Sequence, residues 1–185
     1  MSLTNIEEIA TFIVADGKGI LAADESNPTC GKRFDSIGVD STEENRRDYR
    51  EMLFRSKGMK GNIGGVILFD ETIRQKAKDG TLLRNIISDQ GALPGIKVDK
   101  GLQPIEDCPN ETVTAGLDGL DERLKEYSSM GAKFTKWRAV INIGDGIPTD
   151  KCIDANMQAL ADYAKCAQDN GMVPIVEPEV LMDGE

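Results

Sequence analysis

The sequence predicts a parallel α/β protein. Three observations carry that expectation. Five short apolar runs recur along the chain, helical patterns separate them, and each run ends in charged residues. The runs are Gly19–Glu25, Gly65–Glu71, Gly95–Lys100, Phe134–Val140 and Val173–Glu179. Strand, helix, strand with charge at the strand ends is how a parallel α/β enzyme presents its chemistry.

The elements follow in order. Thr4 or Asn5 can cap a first helix with apolar positions Ile6, Ile9, Ala10 and Ile13. Gly17 and Gly19 break the chain into the first run. Gly31 to Ile37 is expected as a short helix. Ser41 and Glu44 offer a capping box before a charged helix through Tyr49, Met52, Leu53 and Phe54. Glycines 58, 61, 64 and 65 lead into the second run. Thr72 to Ala77 reads as a helical turn and Thr81 to Ser88 as a helix. The third run follows Pro94-Gly95, and residues 101 to 115, rich in Pro, Asn and Thr, read as loop. Leu117, Leu120, Leu124 and Tyr127 have helical spacing, and Asp150 to Gln168 reads as a long helix.

Composition narrows the function. The chain has 185 residues and a net charge of -10, which argues against non-specific nucleic-acid binding. No run approaches the roughly 20 apolar residues of a membrane span. The acidic, amphipathic N-terminus does not read as a signal peptide. With no histidine, this stretch holds no Ser-His-Asp triad, His-ligated zinc or His general base. Four cysteines without C-x-x-C spacing point to a reducing cytoplasm. No Walker A or G-x-G-x-x-G motif supports nucleotide binding. Five strands leave two architectures open: an open five-stranded sheet, or the first part of a closed barrel, which needs about 250 residues.

Side chains two apart on a strand share a face. Lys97 with Asp99, Lys136 with Arg138 and Glu177 with Glu179 are such pairs, and Asp24 ends the first run. Burying these ions costs several kcal/mol each unless they are paired, which favours a shared functional site over scattered ones. A lysine beside other cations loses its proton more readily and becomes a carbonyl nucleophile, so Lys97, Lys136 and Arg138 are a candidate neighbourhood of that kind. A neighbouring carboxylate could move protons during imine chemistry. Interleaved lysines argue against a divalent metal held by the carboxylates. Lys32-Arg33, near the expected start of the second helix, is a weak candidate for anion contact.

These stretches resemble class I fructose-bisphosphate aldolase. The resemblance rests on Gly17–Ser26, Ser41–Arg47, Gly64–Phe69, Gly95–Gly101, Gly116–Leu120, Lys136-Trp137-Arg138 and Val173–Glu179, in order along nearly the whole chain. It implies a (β/α)₈ TIM barrel, of which residues 1–185 supply roughly strands 1 to 5 as a single domain. It implies aldol cleavage of fructose 1,6-bisphosphate through a lysine Schiff base, with no metal and no cofactor. By motif, Asp24 resembles the aspartate acting on the carbinolamine and the C4 hydroxyl. Lys136 resembles the lysine assisting proton transfer, Glu177 the proton-transferring glutamate, and Glu179 its partner that holds the lysines. Lys97 and Arg138 resemble substrate-binding residues, with Ser26, Lys32 and Arg33 joining that set.

Two departures stand out. The family's Schiff-base lysine lies beyond residue 185, so the segment is expected to be inactive alone. The loop Asn27–Gly31 differs from the Thr-Gly-Ser-type turn common in relatives. The implied setting is a cytoplasmic homo-oligomer acting on a phosphorylated sugar, with no nucleic-acid or membrane partner. The alternatives are a transaldolase-like Schiff-base barrel and a non-catalytic scaffold using the same surface.

Overall fold

Helix α1 (Ile6–Ile13) opens the fold, and the Asn5 side chain caps it by accepting from the Glu8 backbone N–H at 2.8 Å. In this computed structural model the described residues are Leu3 and 5–184, so Thr4, the other capping candidate, lies outside them. Strand β1 (Gly19–Ala23) follows, then α2 (Asn27–Asp35). This second helix starts four residues before its expected start at Gly31. Ser26 caps it and Pro28 occupies its first turn, where the missing N–H and fixed φ favour initiation. Helix α3 (Glu43–Phe54) is capped by Thr42, which accepts from Asn45 N–H at 3.1 Å, and not by Ser41. The Ser41 carbonyl instead accepts from Arg46 Nη1.

Strand β2 (Ile63–Leu68) leads directly into a single helical turn, α4 (Asp70–Arg74), two residues earlier than the expected turn at Thr72. Helix α5 (Leu83–Asp89) and strand β3 (Leu93–Lys97) come next. Residues 101 to 115 are not all loop. They hold an antiparallel ribbon of β4 (Leu102–Pro104) and β5 (Thr112–Thr114). Asp107 and Asn110 take left-handed φ values of 62° and 65° in its turn, a conformation Asp and Asn tolerate. Two three-residue strands are too short to show a period in sequence. Helix α6 (Leu120–Ser129), strand β6 (Phe134–Ile141), helix α7 (Asp150–Asp169) and strand β7 (Val173–Val180) complete the order.

The five expected runs form one sheet, β1-β2-β3-β6-β7, with every pairing parallel. With helices alternating between its strands, the sheet is a half-barrel, part of a (β/α) barrel. Its two faces have separate cores. Val66, Leu68, Ile96, Val98, Trp137 and Ala139 belong to the larger core, on the helix side. There Trp137 stacks on Tyr163 of α7 with ring centroids 5.3 Å apart. The Tyr163 hydroxyl shares a 2.7 Å hydrogen bond with Thr135 and donates to Ile175 O, so one ring ties α7 to β6 and β7.

The concave face has an apolar floor of Ile13, Ile67 and Phe134, flanked by Ile20, Val173 and Ile175. Phe134 fits because two strand glycines yield it space. A Cβ at Gly65 would sit 2.8 Å from its ring, and one at Gly95 would collide with the same ring. Gly95→Ala is therefore expected to cost about 1–3 kcal/mol by overpacking. Phe134→Ala is expected to cost about 3–5 kcal/mol by cavity formation. The double variant should lose clearly less than the sum, because the clash disappears with the ring. Denaturant unfolding of the four proteins measures this coupling, and strict additivity would contradict the packing.

Candidate functional site

The strand period of two lifts charge above the floor. On β6, Phe134 is followed on the same face by Lys136 and then Arg138. On β3, Gly95 is followed by Lys97, and on β7, Ile175 by Glu177 and Glu179. Register places Lys97 beside Lys136 and Arg138 beside Glu177. Asp24 is the first residue past β1.

The result is a chain of alternating charge. Lys136 is 7% exposed, with its Nζ 3.1 Å from Asp24 Oδ2 and 3.3 Å from Glu177 Oε1. Lys97 Nζ lies 3.8 Å from the same Asp24 oxygen and donates to the Asp24 carbonyl at 2.5 Å. Arg138 Nε is 3.9 Å from Glu177 Oε1 and pairs closely with Glu179. Asp99, past the end of β3, accepts from the Arg138 backbone N–H at 3.5 Å.

Burial alone would lower the Lys136 pKa. The attraction of Asp24 and Glu177, with hydrogen bonds to both, outweighs it and holds the ammonium above its ordinary value. The expectation that cationic neighbours depress Lys136 is overturned, since the two carboxylates within 3.3 Å of its Nζ dominate its surroundings. The hydrogen bond from Arg138 holds Glu179 below the usual carboxylate value. Glu179 thus pairs with the arginine, and neither lysine is among its ion-pair partners.

A cavity of about 840 Å³ opens over this face, lined by Asp24, Lys97, Lys136, Arg138 and Glu177. Ser26 also lines it, while its Oγ caps α2 and shares a 3.0 Å hydrogen bond with Thr29 Oγ1. Lys32 and Arg33 do not line it. They sit in the last turn of α2, not near its start, because the helix begins at Asn27; Arg33 pairs with Glu25. The Phe69 ring, 5.1 Å from Lys97 Nζ, lines the cavity and was not singled out from sequence. Its place just past an apolar strand was the available signal. Among the described residues no three acidic, cysteine or histidine side chains gather as a metal ligand set, and no helix is long and apolar enough to cross a membrane.

Comparison with known proteins fits this geometry. Residues 5–185 match the glycolytic family described as fructose-bisphosphate aldolase class-I. A probable fructose-bisphosphate aldolase class 1 of Xanthomonas campestris is 56% identical over 185 residues, covering 100% of this chain and 55% of that protein. Fructose-bisphosphate aldolase B of Rattus norvegicus is 52% identical over 181 residues, covering 97% of this chain and 50% of its own length. A solved Plasmodium falciparum fructose-bisphosphate aldolase, in complex with TRAP and a small-molecule inhibitor, superposes with a TM-score of 0.93. It is 47% identical and covers 100% of this chain and 57% of that one. The chain belongs to the class I fructose-bisphosphate aldolase family, and it spans about half the length of the curated relatives it matches.

The raised Lys136 pKa sets a pH dependence. A group whose folded value exceeds its unfolded value stabilises fully below the unfolded value, here 10.5, and loses that contribution as pH rises through the folded one. Lys136→Met removes the cation that Asp24 and Glu177 share, so it should melt below wild type at neutral pH. The gap should narrow as pH rises past 10.5. Melting temperatures of both proteins across that range check this, and a gap independent of pH would contradict the ion triad.

Proposed function

We propose that this chain supplies the acid–base half of a Schiff-base aldolase that cleaves fructose 1,6-bisphosphate to dihydroxyacetone phosphate and glyceraldehyde 3-phosphate. The observation that carries the reading is the triad of Asp24, Lys136 and Glu177 over the cavity floor, with cation–anion distances of 3.1 and 3.3 Å. The imine is assigned to a lysine outside residues 1–185.

Each group has a role that suits its state. Lys136, held as an ammonium, donates a proton to the carbinolamine hydroxyl, which leaves as water. Asp24 accepts the C4 hydroxyl proton as the C3–C4 bond breaks, and the bonding electrons pass into the imine to give an enamine. Glu177 moves protons between carbinolamine, imine and water. Lys97 and Arg138 hold anionic substrate oxygens, and Glu179 fixes the Arg138 guanidinium. Ser26 offers a hydroxyl at the cavity rim. Lys32 and Arg33 contribute at most to the field at the cavity's edge, and a cytoplasmic setting accords with the cysteine usage.

General acid–base groups contribute roughly 10²–10⁴-fold, and Lys136→Met in the full-length protein is expected to lower turnover by that order. Borohydride reduction with substrate present should still label a lysine in this variant, because the nucleophile is another residue. Peptide mapping reads the result. Label on Lys136 in the wild type, or loss of activity to EDTA, would overturn the assignment; cleavage of a ketose by transfer to a second aldose would favour a transaldolase-like reaction.

A further inference from the structure

Arg50 is fully buried in α3, yet it is absent from the cavity lining. Its Nε donates to the Ala23 carbonyl at 3.1 Å and its Nη2 to the Glu25 carbonyl at 2.6 Å. These are the residues on either side of Asp24. The carbonyl between them, that of Asp24 itself, accepts from Lys97 Nζ at 2.5 Å. Three consecutive carbonyls, that of the last residue of β1 and the next two, are thus held by cations, and two of the three by one guanidinium. We infer that Arg50 is a positioning residue for catalysis: by clamping the carbonyls of the two residues that flank Asp24, it fixes the direction of the Asp24 carboxylate.

The chemistry of arginine explains why this residue type is needed. A planar fork with fixed donor angles can hold two carbonyls two residues apart, whereas a lysine ammonium is a point donor on a flexible stem. Nothing regular would otherwise fix this stretch, since β1 ends at Ala23 and α2 begins only at Asn27. Further anchors sit around the same guanidinium. Its Nη2 lies 3.7 Å from Glu25 Oε2 and 3.7 Å from Cys30 Sγ, the latter inside α2. One side chain of α3 therefore sets β1, the loop and α2 against each other. Asp24 has little freedom of its own to compensate. It is 8% exposed, and its carboxylate must meet Lys136 at 3.1 Å.

Arg46, one turn earlier on α3, supplies an internal control. It is also buried, but its partners are the Glu71 carboxylate, at 3.0 and 2.7 Å, and the Ser41 carbonyl. Losing Arg46 removes a buried ion pair without freeing the peptides beside Asp24.

This inference rests on the aldolase reading, and its test separates the two. Sugar-bisphosphate cleavage is measured for full-length wild type, Arg50→Lys, Arg50→Ala and Arg46→Lys, with the folded fraction of each taken from its melting curve. For Arg50→Lys the expectation is kcat per folded molecule lowered at least about tenfold, on the scale of a displaced general acid–base group, with KM within about twofold. KM holds because Arg50 does not line the cavity. Arg46→Lys should keep wild-type kcat per folded molecule. Guanidinium ion added at millimolar concentration should partly restore kcat to Arg50→Ala; if that variant does not fold, Arg50→Lys decides alone. An Arg50→Lys protein with wild-type kcat, or one changed only in KM, overturns the positioning role while leaving the aldolase reading intact. A folded wild type with no cleavage overturns both.

Discussion

The ion chain around Lys136 is the constraint on which the rest of the structure depends. Three cations and three carboxylates, from the ends of β1, β3, β6 and β7, are arranged so that each sign faces the other. Asp24 and Lys136 are buried, and unpaired each would cost several kcal/mol. Paired, the set is neutral, so the half-barrel can carry a dense charge cluster directly above an apolar floor. That arrangement needs strict register. A one-residue slip of β6 would send Lys136 and Arg138 to the helix side and bring Trp137 into the cavity. The glycines at 65 and 95 help prevent such a slip, because only there can β2 and β3 accept the Phe134 ring.

Around the cluster, further arginines bond groups of the protein itself. Arg123 of α6 donates to Val98 O and Gly116 O, which ties the chain past β3 to the loop after the β4–β5 ribbon. Arg84 of α5 donates to Ile73 O at the end of α4. Arg46 pairs bidentately with Glu71, and Asn27 of α2 donates to the same carboxylate. Strand ends in this sheet feed loops with few backbone partners of their own. Guanidinium groups such as those of Arg123 and Arg84 satisfy those carbonyls, and Arg123 also lines the cavity.

The strands and the charged face were legible because the evidence for them is periodic. Five apolar runs give five parallel strands, and parity alone places Lys136 with Arg138 and Glu177 with Glu179. What was illegible depends on single residues or on partners distant in sequence. The start of α2 turns on Pro28, whose tolerance in a first turn is easily read as a loop signal. The buried face of α3 is Arg46, Arg50 and Phe54, a four-residue spacing filled by two arginines. Met52, an apolar residue of the same helix, is 62% exposed. An apolar-periodicity reading cannot see a buried stripe made of charge; the clue was a helix too polar to bury any face unless its arginines went inward. The direction of the Lys136 pKa was missed for a related reason. Sequence places like charges on adjacent strands but not the carboxylates that pair with Lys136.

That direction has a structural consequence. An amine nucleophile must spend time unprotonated, so it needs burial without a carboxylate or a cation close by. Lys136 has the burial, but Asp24 and Glu177 keep its proton in place. The same contacts that oppose a role as the attacking amine suit it to deliver a proton and to stabilise developing negative charge. One lysine cannot serve both ends of imine chemistry, because the environment that retains its proton opposes the one that releases it. The charge pattern on this face therefore fits the proposed division of labour: proton handling on β1, β6 and β7, and covalent attack by an amine placed where no carboxylate pair holds it.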